Sequence, residues 1–243
     1  MKLMKLSLVI PAYNEAGRIE DSLEQVFAFL AGFSGPAEII VVDDGSTDTT
    51  SALVQAKAQG RSDFRMIRLP RNQGKGAAVR AGVLESQGDW VLMTDADLST
   101  PLSELPRFFA ALADGFDLAV GSRQLPGARL LRHQPWLRQQ AGLLFGFLLR
   151  RIVPVGVVDT QCGFKLFRGE PGRDLFRRLT ITGFCFDLEL LALARQAGLQ
   201  VAEIPVTWSN AAGSKVSLFR DLPRVIWEVL RIRWNLGRGR YRP

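Results

Sequence analysis

Five short runs of apolar, largely β-branched residues punctuate the first half of the chain: LSLVI at 6–10, EIIVVDD at 38–44, FRMIRL at 64–69, WVLMTDAD at 90–97 and DLAVGSR at 117–123. Their cores are unbroken by polar alternation, so each reads as a strand covered on both faces. Helical patterns lie between them. Ile19, Leu23, Val26 and Leu30 fall on one apolar stripe, Ser46 stands where a helix cap would, and Thr100 before Pro101 marks another start, because proline's missing donor is harmless in a first turn. The order βαβαβαβαβ predicts an α/β fold with a doubly wound, Rossmann-like and mainly parallel sheet. Beyond Arg123 the alternation weakens. Residues 136–152, 186–197 and 218–236 read as helices, and 164–168 and 199–208 as strands. In the last helix Leu222, Val225, Val229, Ile232 and Leu236 form a stripe with Arg220, Arg224, Arg231 and Arg233 around it. That pattern suits a helix docked on a core or one lying in a bilayer interface. The expected division is a body over 1–215, with halves meeting at 123/124, and a basic amphipathic helix over 216–243.

Composition adds little to the fold but changes the picture of the surroundings. With 47% apolar and 23% charged residues over 243 positions, the chain is ordinary globular protein and not a disordered or fibrous one. The charge is unevenly placed: residues 1–122 hold 11 basic and 16 acidic side chains, residues 123–243 hold 20 and 8, so the halves carry −5 and +12. A second half so basic faces something anionic: lipid head groups, a phosphorylated ligand or nucleic acid. No stretch reaches the roughly 18 apolar residues of a spanning helix. The richest, AGLLFGFLL at 141–149, halts at Arg150 and Arg151, so a protein that meets a membrane this way lies on it. The apolar run after Lys2 and Lys5 stops at Pro11, too short for a signal segment, and a cytoplasmic address follows. Cys162 and Cys185 have neither zinc-site nor redox spacing and read as buried thiols.

Candidate chemistry gathers at strand ends, where ligands of doubly wound sheets bind. The first strand ends in PAYNE (11–15), the second in Asp43-Asp44-Gly45-Ser46 and the fourth in Asp95-Ala96-Asp97. On extended backbone, residues i and i+2 point to one side, so Asp95 and Asp97 can offer two carboxylates to a hard cation, Mg2+ or Mn2+. Other chemistries are disfavoured. PAYNE replaces the glycine-rich turn of a dinucleotide fold or of a sugar nucleotidyltransferase. The GKG at 74–76 has Leu69 where a phosphate-binding loop needs glycine. The single histidine, His133, sits in an arginine-rich loop and gives a hydrolase triad no support.

PAYNE, VVDDGSTD, GKG, DADLSTP and GSR, in this order and spacing, resemble family 2 glycosyltransferases of the GT-A fold. In the second half, DTQCGFKLF at 159–167, FDLELL at 186–191 and WSNAAGSKV at 208–216 are similar to dolichyl-phosphate glucosyltransferases, and less so to the dolichyl-phosphate mannose synthases. The resemblance implies an inverting transferase that moves glucose from UDP-glucose to a polyprenyl phosphate, with GDP-mannose as the alternative donor. Residues 1–123 would be the nucleotide-sugar half and 124–215 the acceptor half. Eukaryotic members carry an N-terminal anchor without a counterpart here, so a peripheral protein on the cytoplasmic face of a membrane is expected. By similarity Pro11, Tyr13 and Glu15 contact base and ribose, Asp43 seats the nucleoside, and Asp44 is a further contact. Asp95 and Asp97 bind the metal that bridges the diphosphate, Asp97 more directly. Arg123, Arg138 and Lys215 hold phosphate groups of donor or acceptor. Asp159 is the candidate base, with Asp187 and Glu189 as alternates. A lipid phosphate is already ionised at neutral pH and needs little deprotonation, so Asp159 orienting a neighbouring arginine is the other reading. A nucleic-acid-binding module rests on charge alone and would show salt-sensitive oligonucleotide binding; no nucleic-acid partner is expected.

Overall fold

A computed structural model describes residues 4–132, 136–210 and 218–241. The first strands are β1 (Leu6–Ala12), β2 (Ala37–Asp43), β3 (Phe64–Arg68), β4 (Trp90–Met93) and β5 (Leu118–Ser122). They sit where the apolar runs predict them. Along β1, Leu6, Leu8, Ile10 and Ala12 enter one core and Val9 the other; along β2, Ile39 and Val41 oppose Ile40 and Val42 in the same way. Both faces are buried, which is why these strands read as continuous apolar runs.

The helices α1 (Ile19–Ala31), α2 (Thr50–Ala58), α3 (Lys75–Glu85) and α4 (Leu105–Ala113) connect the strands. A short 3₁₀ turn, Leu102–Glu104, intervenes between Pro101 and α4. Ser46 does not cap α2. Its Oγ accepts the Asn14 amide at 2.9 Å, while Asp48 Oδ1 accepts the Thr50 amide at the start of that helix, also at 2.9 Å.

The second half departs further from a simple alternation. It adds β6 (Arg129–Arg132), α5 (Trp136–Ile152), β7 (Lys165–Arg168), α6 (Gly169–Arg178), α7 (Phe186–Gln196), β8 (Val201–Pro205), β9 (Thr207–Ser209) and α8 (Leu218–Gly237). The main sheet has the order β3-β2-β1-β4-β7-β5-β8. Within it β7 runs antiparallel between β4 and β5, so the sheet is mainly and not wholly parallel. The apolar stretch at 199–208 breaks at Val206. Its first part, β8, extends the main sheet, and its second, β9, pairs with β6 in a two-stranded sheet.

Helix α8 packs into the core through Val229 and Ile232, on the same side of the sheet as α3, α6 and α7. Just beyond it, the Tyr241 hydroxyl donates to buried Glu189 Oε1 at 2.5 Å and accepts from Asn235 Nδ2 at 3.1 Å. Burial, followed by the Glu189 carboxylate, pushes the phenol's pKa up. Removing that donor by Tyr241→Phe lowers stability by about 2 kcal/mol, the range for a buried hydrogen bond to a charged group. A urea midpoint equal to that of the parent protein would contradict this anchoring of the segment after α8.

Candidate active site

The acidic turns converge at the carboxyl ends of β1, β2 and β4. Asn14, in the left-handed region at φ 54°, turns the chain out of β1, and its Oδ1 accepts the Thr47 amide at 2.8 Å. Asparagine tolerates that conformation better than most residues. The Glu15 amide donates to Thr50 Oγ1 at 2.7 Å, and its carboxylate receives Arg18 Nε. The PAYNE turn is thus tied to the turn after β2. Pro11 lies opposite Val42 within β1, and Pro11, Tyr13 and Glu15 are half-buried along this turn.

Asp43 and Asp44 are both buried but differ in what they hold. Asp43 Oδ1 accepts the Ser46 amide at 2.9 Å. Its Oδ2 has no hydrogen-bond donor among the described residues, and the Arg68 Nε stands 3.4 Å away. A buried acceptor that has an ion pair but no hydrogen bond can take a donor from a ligand. Asp44 is committed to the fold: its two oxygens accept the Gln73 and Gly74 amides at 2.7 and 2.9 Å. Burial nonetheless raises its pKa against those two bonds. The carboxylate thereby holds the GKG loop, in which Gly74, at φ 105°, backs onto the Thr182 carbonyl too closely for a Cβ.

Asp95 and Asp97 are not on extended backbone, because β4 ends at Met93. They occupy a tight turn closed by the Leu98 amide on the Asp95 carbonyl at 3.0 Å, with Leu98 at φ 45°. Both side chains reach the mouth, 34% and 24% exposed. Asp95 Oδ1 pairs with Lys75 Nζ at 2.5 Å. Burial opposes ionisation of Asp95, but Lys75, with Lys165 and Arg123, holds its pKa below the usual carboxylate range. Gly163 abuts the Asp95 carboxylate, and a Cβ there would collide with it. Asp97 Oδ1 accepts the Ser99 amide at 2.9 Å, and its Oδ2 lies 3.8 Å from Arg18 Nη1.

Behind this mouth is a row of alternating charge. Lys165 Nζ, fully buried, donates to Asp187 Oδ1 at 2.5 Å and to the Cys162 carbonyl at 2.6 Å. Burial raises the Asp187 pKa although Lys165 and Lys75 draw it down. Arg123, the residue after β5, grips buried Asp159 through Nε and Nη2 at 2.7 and 2.8 Å, and the Arg123 amide adds a third bond at 2.9 Å. Burial disfavours the Asp159 charge, yet Arg123 keeps its pKa below the ordinary value. Both Asp159 oxygens are occupied by the guanidinium. Glu189 is sealed, its oxygens accepting the Thr180 amide and hydroxyl, the Ile181 amide and Tyr241. Neither it nor Asp187 is a free base at the mouth. The Arg138 side chain, Lys215 and His133 lie outside the described residues. Cys162 and Cys185 are free, buried thiols whose pKa values burial raises.

No cluster of three or more His, Cys, Asp and Glu suited to a metal exists among the described residues. Two half-exposed carboxylates in one turn do fit a hard cation that takes its remaining ligands from phosphate and water. Sequence reasoning does not single out Lys75, Arg18, Lys165 or Gly163. The only signal of the first is the lysine inside GKG.

The fold and site define a class of α/β protein that presents acidic turns, backed by fixed cations, at the carboxyl ends of its strands. The chain belongs to glycosyl transferase family 2, which it matches over residues 7–176. Among its relatives is a dolichyl-phosphate beta-glucosyltransferase of Trichomonas vaginalis, 40% identical over 223 residues, covering 87% of this chain and 66% of the relative. A dolichyl-phosphate beta-glucosyltransferase of Dictyostelium discoideum is 35% identical, covering 95% of this chain and 74% of that one. The chain thus spans about two-thirds to three-quarters of their length. Glucosyl-3-phosphoglycerate synthase from Mycobacterium tuberculosis, solved with Mn2+, UDP-glucose and glycerol 3-phosphate, superposes with a TM-score of 0.68 at 21% identity over 95% of this chain and 80% of that one. It shares the fold. Among the described residues no helix is long and apolar enough to cross a membrane.

Proposed function

We propose that the chain is an inverting transferase that moves glucose from UDP-glucose to a polyprenyl phosphate of the dolichyl type, working as a peripheral protein on the cytoplasmic face of a membrane. The observation that carries this reading is the Asp95–Asp97 turn at a mouth where Asp43 Oδ2 is a buried acceptor with no hydrogen-bond donor among the described residues. The names of the relatives supply the sugar and the lipid. Asp43 accepts the ring N–H of the base, while Pro11, Tyr13 and Glu15 wall the nucleoside. Asp95 and Asp97 hold Mg2+ or Mn2+, with Asp97 the more direct ligand. When bound, the cation neutralises charge that builds on the departing diphosphate, an effect worth several kcal/mol.

Arg123, kept in one orientation by Asp159, presents its guanidinium to a phosphate group, as bidentate recognition requires. Arg138 and Lys215 add cations for the donor or acceptor phosphates. The acceptor oxygen is ionised on arrival, so alignment and not deprotonation is the protein's task. Purified protein given Mn2+ and a polyprenyl phosphate forms the glucolipid from UDP-glucose and no product from GDP-mannose. Product from GDP-mannose alone would reassign the donor, and no product from any nucleotide sugar would refute the reading.

A further inference from the structure

Away from the acidic mouth, α5, α7 and α8 line an open cavity of about 450 Å³. Its lining includes three arginines, Arg151 at the end of α5, Arg195 on α7 and Arg233 on α8, together with Gln196, Ile152 and Leu236. Among the described residues none of the three arginines pairs with a carboxylate; Arg195 donates to the Pro154 carbonyl at 2.8 Å and Arg151 lies over the Phe147 ring. Three like charges brought into one concavity form a ready site for an anion. With a helical rise of 1.5 Å per residue, Arg195 stands roughly 12 Å along α7 from Asp187. This is a second site and not an extension of the first.

What surrounds the cavity names the anion's source. On α8, Leu222, Ile226, Leu230 and Trp234 recur every fourth residue, and with Trp227 they are 42–58% exposed, while Val229 and Ile232 dock into the core. Phe147, Leu148 and Ile152 are exposed on α5, and Ile152 also lines the cavity. Arginines cap the rings: Arg231 over Trp227 at 5.1 Å, Arg238 over Trp234 at 4.1 Å and Arg151 over Phe147 at 5.1 Å. No acidic residue occurs between Asp117 and Asp159, or after Glu228, which is buried. A protein partner would need an apolar surface edged only with carboxylates. An anionic leaflet offers acyl chains and phosphates in that arrangement, and indoles flanked by arginines favour its interface.

We infer that this face seats the protein on an anionic bilayer, with the Arg151–Arg195–Arg233 cavity receiving the phosphate of a lipid head group other than the acceptor. The inference rests on the peripheral-membrane reading above but not on its chemistry. In flotation with vesicles, the protein binds phosphatidylcholine containing phosphatidylglycerol far better than phosphatidylcholine alone. Arg151→Gln/Arg233→Gln weakens binding to the anionic vesicles about twenty-five-fold, at about fivefold per arginine near such a surface. Trp227→Ser/Trp234→Ser weakens binding to both kinds of vesicle. Glycerol 3-phosphate, offered as a soluble source of the same chemistry, neither binds tightly nor displaces the vesicles.

Unchanged anionic-vesicle binding by the arginine variant overturns the inference, as does tight glycerol 3-phosphate binding without vesicle binding. A thermal melt checks the fold of the variant, and Arg233→Gln alone, with about a fivefold loss, serves if the double change unfolds it. Transfer to a short polyprenyl phosphate in detergent is measured in parallel. Its survival in the arginine variant separates seating from catalysis, and its absence in the parent protein would sink the proposed chemistry while leaving the vesicle result standing.

Discussion

Asp97→Asn lowers kcat/KM for sugar transfer by about 10³ or more, the loss expected when several kcal/mol of metal-borne charge stabilisation disappears. The variant keeps its fold. Asp97 Oδ1 accepts the Ser99 amide within the turn that follows β4, and an asparagine oxygen can accept the same bond. Among the described residues the other oxygen meets the distant Arg18 guanidinium, at 3.8 Å, so its replacement by an amide leaves no buried charge unpaired there. What is lost is one of two anionic oxygen donors for a hard cation. Manganese titration in the presence of UDP should show weakened metal uptake alongside the kinetic loss, with an unchanged urea midpoint. Full activity in the variant would remove the metal from the proposed reaction. Lost activity with undiminished manganese uptake would place Asp97 elsewhere in it.

The acidic half of this site is legible in the sequence because each carboxylate directly follows a run of apolar residues, and a strand's end can be read from the run. Its basic half is not. Lys75 meets Asp95, Lys165 meets Asp187 and Arg18 approaches Asp97 across long stretches of chain, so no local spacing announces the pairs. The strand expected over 164–168 is found as β7, but the same physics hides the burial of its first residue. The strand's sequence, KLFR, holds only two apolar residues between two cations, yet Lys165 is fully buried, its charge met by Asp187. Helix α6 is masked in another way, by Gly169, Pro171 and Gly172 in its first turn. Gly172 is required there because a Cβ would press on the Phe167 side chain. The five strands of the first half keep their apolar runs even where Glu38 pairs with Arg65 and Asp43 with Arg68 across β2 and β3, and their positions follow from hydrophobic pattern.

That buried pair supplies the largest stability effect. Lys165→Met removes about 3–5 kcal/mol at pH 7, because it strands the Asp187 carboxylate in the core and leaves the Cys162 carbonyl without its donor. The loss depends on pH in a fixed direction. Burial already raises the Asp187 pKa above its ordinary 3.8, and Lys165 is the foremost influence drawing it down. Without the ammonium the folded-state value climbs further. A group whose pKa is raised by folding stabilises the protein fully below its unfolded value and loses that contribution as pH rises through the folded value. The variant's deficit therefore narrows as pH falls from 7 toward the unfolded carboxylate value, where Asp187 enters the core already protonated. Adding Asp187→Asn to Lys165→Met recovers most of the loss at pH 7 and flattens the pH profile, since the amide carries no charge to bury. Urea denaturation of both variants across this pH range measures the effect. A Lys165→Met deficit that stays constant with pH would mean that lost packing, and not the stranded charge, accounts for it.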